Sequence, residues 1–236
     1  GCEPMKKKLL VIFLSIFALM YIIPVIVTII KSLQYDESLF TLGQYVELLT
    51  TNYSTLYYFW NSALYASVIT VFCVILSFPL GFLFAKVSFP GRDALFFIYI
   101  VVMLLPFQAT LLSNYIQLRD FKLLDTPYAL MLPMFFSPFA VFLFRQFISG
   151  IPNDQLESTL LETSSVLKLL RYVVMPQLKE AFIALSVMIF CESWNMVEPA
   201  IIFASKNERI MPLSVVLTQV PENVTFACSV VYLYPV

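Results

Sequence analysis

Between Leu9 and Ile30 the chain runs without a single charged side chain. A helix rises about 1.5 Å per residue and a bilayer's hydrocarbon core is about 30 Å thick, so a run of roughly 20 apolar residues is long enough to cross it. Several such runs follow, in a sequence that is 60% hydrophobic and 12% charged with a mean hydropathy of +0.87. The chain therefore reads as an all-α polytopic membrane protein. Helices are expected at about residues 9 to 30, 61 to 85, 94 to 112, 128 to 148 and 181 to 204. A sixth begins near Val224 and meets the end of the sequence at Val236, too soon to cross a bilayer, so the last span is expected to be truncated.

The basic start Lys6, Lys7 and Lys8 followed by an apolar core resembles a signal peptide, but the apolar run continues to Ile30 and no small-residue cleavage site follows. It reads as a retained first span. The GCEP before Met5 reads as a cloning remnant or an upstream start. Residues 1–8 then form a cytoplasmic N-terminus, and residues 9–236 one transmembrane domain.

Alternation of the expected spans distributes the 14 Lys and Arg residues. Lys6, Lys7, Lys8, Lys86, Arg92, Arg145, Lys168, Arg171 and Lys179 fall on one side, and Lys31, Arg119, Lys122, Lys206 and Arg209 on the other. The richer side is expected in the cytoplasm, with the N-terminus. Tyr57, Tyr58, Phe59 and Trp60 suit the outer interface. Pro24, Pro79, Pro106, Pro133, Pro138 and Pro199 lie in or beside the spans, where neighbouring helices can satisfy freed carbonyls. Arg145 is expected to snorkel to the interface.

Net charge near zero offers no nucleic-acid footprint. With no His and with Cys2, Cys73, Cys191 and Cys228 scattered singly, neither a metal set nor a disulfide framework can be assembled. An enzyme is the least supported class, since no nucleophile–base pair is evident.

One stretch, residues 149–180, concentrates charge. Asp154 and Glu157 form a variant capping box after Pro152, and Leu156, Leu160 and Leu161 give the resulting helix an apolar edge. Ser164 or Ser165 starts a second helix in which Val166, Leu169, Leu170, Val173 and Val174 share a face, with Lys168 and Arg171 off it and Pro176 ending it. Two short amphipathic helices outside the bilayer suit docking into a partner's groove; the alternative is a pair lying on the membrane surface.

Glu192 and Glu198 interrupt the fifth apolar run. A carboxylate at mid-bilayer costs about 2.5–3.5 kcal/mol on insertion scales, so each is expected to face a cavity or a partner. On a continuous helix Glu192, Asn195, Met196 and Pro199 would share a face, with Trp194 and Glu198 at its flank. Carboxylate, amide and indole suit a polyol, since they offer acceptors, donors and a flat apolar surface. Tying helices together and gating remain open for the same residues.

The 149–180 stretch is similar to the EAA loop of binding-protein-dependent ABC importer permeases. Glu157 stands at that motif's Glu, Ser158 and Thr159 at its two Ala positions, Glu162 at its acidic position, and Val173, Met175 and Pro176 at its close. Thr163 replaces the motif's Gly, and a β-branched residue resists the left-handed backbone that Gly permits. FPGRDALFF, MLLPFQATLL, LLDTPYALMLP, FLFRQFISGIP, ESWNMVEP and MPLSVVL extend the likeness, in order, to maltose-type sugar permease subunits.

The resemblance implies a six-span permease core with a cytoplasmic helix-turn-helix coupling loop, in a bacterial-type plasma membrane. Its implied partners are a cytoplasmic ABC ATPase dimer, a second permease subunit and an extracellular or periplasmic solute-binding protein. The docking edge would comprise Glu157, Leu160, Leu161, Glu162 and Thr163, with Glu157 either pairing with a basic group of the ATPase or stiffening its own helix. The chain lacks a phosphate-cradling GxxxxGK[ST] loop, so ATP binding falls to another polypeptide, and no cofactor is called for. A permease for a polyamine, phosphate or osmolyte is the alternative within the superfamily. A secondary transporter driven by an ion gradient is the alternative outside it, and would require an inverted repeat that the sequence does not display.

Overall fold

The computed structural model describes residues 3–35, 40–50, 53–162, 165–217 and 219–235. Its regular elements are helices, and they pack as two compact units, one of residues 1–59 with 213–236 and one of residues 60–212.

In the first unit, α1 (Glu3–Ser32) carries a long apolar stretch: from Leu10 to Ser32 its mean hydropathy is 2.9, and of these residues Ser32 alone is buried. A helix that is apolar all round must be enclosed by protein or by lipid. Just past its interior Pro24, the Thr28 hydroxyl turns back to Pro24 O at 2.9 Å. Where α1 ends, the amide of buried Gln44, on α2 (Gly43–Thr50), donates to Lys31 O at 2.8 Å and Gln34 O at 2.6 Å. Its carbonyl accepts the Ala227 N–H at 3.1 Å, so one side chain ties α1 and α2 to α14 (Thr225–Leu233). Leu48, Val224, Ala227 and Cys228 form the core with Leu213, at the start of α13 (Leu213–Val216). Gly43 is required here, since a Cβ would lie 2.5 Å from the Tyr35 ring.

The second unit is built along α3, which runs from Tyr53 to Lys86. α4 (Arg92–Met103) and α5 (Phe107–Asp120) follow, then α6 (Pro127–Met131), a 3-10 turn and α7 (Pro138–Ser149). Ser137 caps α7, accepting Ala140 N–H at 3.3 Å, with Pro138 in the first turn where its missing N–H costs nothing. α3 and α7 approach so closely that a Cβ on Gly81 would lie 2.6 Å from Phe144 Cβ and 3.0 Å from Arg145 N. Phe78, Phe144 and Phe182 pack around this crossing with ring centres 4.9–5.6 Å apart. Arg145, near the end of α7, lies 3.9 Å above the Phe96 ring, a cation–π contact.

Two expected straight spans are broken. The helix expected over 94–112 stops at Met103 and resumes at Phe107, bent by 95°. Pro106 donates no N–H and disfavours helical backbone at the residue before it, so the break falls where the apolar pattern alone showed none. The helix expected over 181–204 is α11 (Lys179–Trp194) and α12 (Glu198–Phe203), interrupted at Asn195–Val197. The second span begins eight residues earlier than expected, at Tyr53 rather than 61, and α2 was not anticipated at all.

Among the described residues three helices are long and apolar enough to cross a membrane, Leu10–Ser32, Thr55–Lys86 and Pro127–Ser149, and up to five spans result if each of two bent pairs counts as one.

Candidate functional site

The charged stretch begins where α3 ends. Lys86, the last residue of α3, donates to Ile151 O at 2.5 Å and to Asn153 Oδ1 at 2.8 Å. This fixes the entry to α8 (Asn153–Glu162). The helix starts at Asn153, one residue before the expected capping position, so Asp154 sits in the first turn and favours the positive end of the helix dipole. Leu156 is buried, Glu157 is exposed, and the Ser158 and Thr159 hydroxyls turn back to Gln155 O at 3.1 and 2.8 Å. The side chains of Leu160, Leu161 and Glu162, and Thr163 and Ser164 entirely, lie outside the described residues.

Ser165 caps the next helix, α9 (Val166–Leu169), by accepting Lys168 N–H at 3.4 Å. A π-helical turn, Leu170–Val174, leads into α10 (Met175–Gln177), and the bend to α11 of 82° comes at Leu178. The helix runs one residue past Pro176 before it ends at Gln177. The wider π turn ahead of the proline is a known way for a helix to accommodate a residue that cannot complete the α ladder. The inward stripe is Leu169, Leu170, Val173 and Val174 as expected, while Val166 is 53% exposed. Outward lie Lys168 and Arg171, together with large apolar groups that periodicity did not single out: Leu167 at 75% exposed and Tyr172 at 70%. Gln177 Nε2 donates to Gln155 Oε1 at 3.2 Å, linking the two arms.

The polar residues of the fifth apolar run are not brought to one helix face, because α11 ends between them. Trp194 is fully buried and stacks on Phe190, ring centres 5.8 Å apart, rather than lying open to a ligand as the sequence suggested. Asn195 terminates α11, and its side-chain amide donates to Cys191 O at 2.7 Å. Glu192 and Glu198 are exposed. Glu198 opens α12 and accepts both contacts of the Gln108 amide, at 3.0 and 3.3 Å. Gln108 follows the other break, in the first turn of α5. Sequence reasoning missed it; the only local signal was an amide two residues beyond Pro106 in an apolar run. Among the described residues no three His, Cys, Asp or Glu side chains could hold a metal.

The described residues thus form helices, among them exposed apolar spans and broken helices that carry polar groups. Residues 77–234 match the family of binding-protein-dependent transport system inner membrane components, and the chain belongs to that family. It is a transport component of an inner membrane rather than an enzyme. The chain is 26% identical over 218 residues to the arabinooligosaccharides transport system permease protein AraQ of Bacillus subtilis, covering 86% of this chain and 78% of that one. It is 32% identical over 136 residues to the sn-glycerol-3-phosphate transport system permease protein UgpE of Brucella abortus, covering 58% and 48% respectively. Its fold superposes with a TM-score of 0.81 on a bacterial ABC transporter involved in the import of the acidic polysaccharide alginate, at 22% identity and covering 99% of this chain.

Proposed function

We propose that this chain is one of two permease subunits of an ATP-driven importer, carries a sugar or oligosaccharide, and is coupled to a separate ATPase dimer through residues 149–180. The observation that carries the reading is the construction of that segment. An exposed arm presenting Leu167 and Tyr172 is tied to α8 by Gln155–Gln177, and the entry to α8 is in turn bolted to the end of α3 through Lys86. A segment that is both sticky and stiff transmits force from a docked partner to a membrane helix, whereas a helix lying on lipid needs no such bolt.

Glu157, Leu160, Leu161, Glu162 and Thr163 form the ATPase-facing edge, with the segment and the N-terminus in the cytoplasm. The core has six spans, the last beginning at α14. Closure of the ATPases on ATP draws the two subunits' segments together and swings the spans between inward- and outward-open states, the docked joint supplying the differential contacts that such a switch requires. A solute-binding protein delivers substrate outside. Glu192, Asn195 and Glu198 contribute acceptors and donors for hydroxyls along the pathway, and Trp194 stiffens the helix beneath them. Two carboxylates repel an anion, which favours an uncharged sugar over a phosphorylated polyol such as the one in the name of the Brucella relative.

The test is co-purification in mild detergent of the parent and of Leu160→Asp. The parent should retain an ATPase and a second permease, and the variant should lose the ATPase while remaining folded, because a charge placed in the docked edge is desolvated without a partner. A parent that purifies alone contradicts the reading.

A further inference from the structure

α5 and α12 are the segments that follow the breaks in two different apolar runs, and they pack against each other. They are also joined at both ends. At the break end, the Gln108 amide donates to both carboxylate oxygens of Glu198. At the far end the link comes from the loop after α5, where Asp125, five residues beyond that helix and two before α6, makes three connections to the end of α12 and the segment after it. Its N–H donates to Phe203 O at 2.8 Å, its Oδ1 accepts Lys206 N–H at 2.8 Å, and its carbonyl accepts the Asn207 side-chain amide at 3.1 Å. Asp125 holds φ 58, a left-handed backbone that Asp and Asn tolerate better than most residues and that aims all three groups at the 203–207 segment.

The segment after α12 is held by α3 as well. Asn61 Nδ2 donates to Arg209 O at 2.8 Å and to Met211 O at 3.1 Å, and the Tyr65 hydroxyl donates to Ile210 O at 3.0 Å. Two fragments that would otherwise hang from separate breaks therefore share one frame. Each break offers a hinge, at Leu104–Pro106 and Asn195–Val197, while the clasps leave no freedom between the fragments themselves.

We propose that Gln108 and Asp125 are positioning residues of the transport cycle: they lock α5 and α12 into one body that moves as a unit about the two breaks. This rests on the transport reading above. Helices held at one point slide against each other, whereas helices held at both ends of a shared face move only together. Gln108 further fixes the Glu198 carboxylate at the joint between the two breaks, so that the pathway carboxylate travels with that body instead of swinging on its own helix end.

The test uses the assembled transporter in nanodiscs with Cys2, Cys73, Cys191 and Cys228 replaced by alanine. Spin labels go on Leu112→Cys and Ile201→Cys, both more than half exposed on α5 and α12, with Ile183→Cys on α11, ahead of the break at Asn195–Val197, as the reference. The Leu112–Ile201 distance should be unchanged between nucleotide-free and vanadate-trapped states while Leu112–Ile183 shifts. A Leu112–Ile201 shift larger than about 2 Å, the size of an ordinary helix displacement at an interface, overturns the proposal. In a Gln108→Leu, Asp125→Gly, Asn207→Ala triple variant, the glycine keeps the left-handed turn and deletes the carboxylate, the alanine deletes the amide that meets Asp125 O, and only the bond from Asp125 N–H to Phe203 O remains. The Leu112–Ile201 distribution should broaden and uptake should fall at least tenfold, the equivalent of one charge-assisted hydrogen bond. Asp125→Asn alone, which retains the acceptor and the turn, should leave both at the parent's values. Indistinguishable distributions for the parent and the triple variant overturn the proposal. Absence of an ATPase from the preparation sinks the importer reading alone, since the variant comparison still reads the clasps.

Discussion

Lys86→Met is the sharpest probe of how the charged segment is mounted. Methionine keeps most of the apolar stem and removes the ammonium, so it deletes the donors to Ile151 O and Asn153 Oδ1 while leaving the packing of α3 nearly intact. A hydrogen bond from a charged donor is worth about 1.5–3 kcal/mol net, and the contact to Asn153 is solvent-exposed and should fall at or below the bottom of that range. Together they place the loss at about 2–3 kcal/mol, a 30- to 150-fold weakening of the attachment at 1.36 kcal/mol per decade. Coupling free energies between sites typically run about 1–3 kcal/mol, so a loss of this size is enough to uncouple. In a reconstituted transporter, basal ATP hydrolysis should persist while binding-protein-stimulated hydrolysis and uptake drop at least tenfold, with the ATPase still co-purifying and the melting temperature of the complex lowered by several degrees. Uptake within twofold of the parent would refute the argument that Lys86 mounts the segment.

Gly81→Ala forces a Cβ to within 2.6 Å of Phe144 Cβ and 3.0 Å of Arg145 N, so α3 and α7 must separate; overpacking of this kind costs about 1–3 kcal/mol, read as a lower melting temperature in detergent. Gln44→Leu removes the donor to Lys31 O and Gln34 O and the acceptor of the Ala227 N–H, and should speed amide exchange at the start of α14 while leaving exchange in α7 unaltered. Leu167→Asp changes a residue already 75% exposed, so folding should be unaffected while ATPase retention falls. Glu198→Gln keeps the hydrogen bond with Gln108 and removes the charge, and should change uptake rate or selectivity; identical uptake of every sugar tested removes Glu198 from the pathway.

The parts of the fold that were legible from sequence are those where twenty or so residues speak together. The uncharged run of α1 and the apolar length of α3 announce themselves because hydropathy sums along the chain. The two arms of the 149–180 segment were legible because 3.6-residue periodicity is local, and the inward stripe from Leu169 to Val174 falls where that period places it. What hydropathy averages away is backbone geometry. The stop at Met103 leaves the apolar pattern untouched, and the polar residues on either side of Asn195–Val197 are equally compatible with one continuous helix, so both spans read as straight. Trp194 was offered as a ligand platform although Phe190 stands four residues before it on the same helix face, the spacing at which two rings stack. Gln108 and Lys86 were out of reach for another reason. Their partners lie 90 and 65 residues away, and an amide or ammonium in a sequence does not declare what it will meet.

The most direct test of the central claim is uptake of labelled sugars into proteoliposomes holding this chain with its co-purified partners. With ATP inside and binding protein outside, the account predicts accumulation that stops when ATP is replaced by ADP and is indifferent to collapse of proton and sodium gradients. Uptake that persists without ATP and vanishes with the ion gradient would contradict it, and would make the chain a secondary transporter.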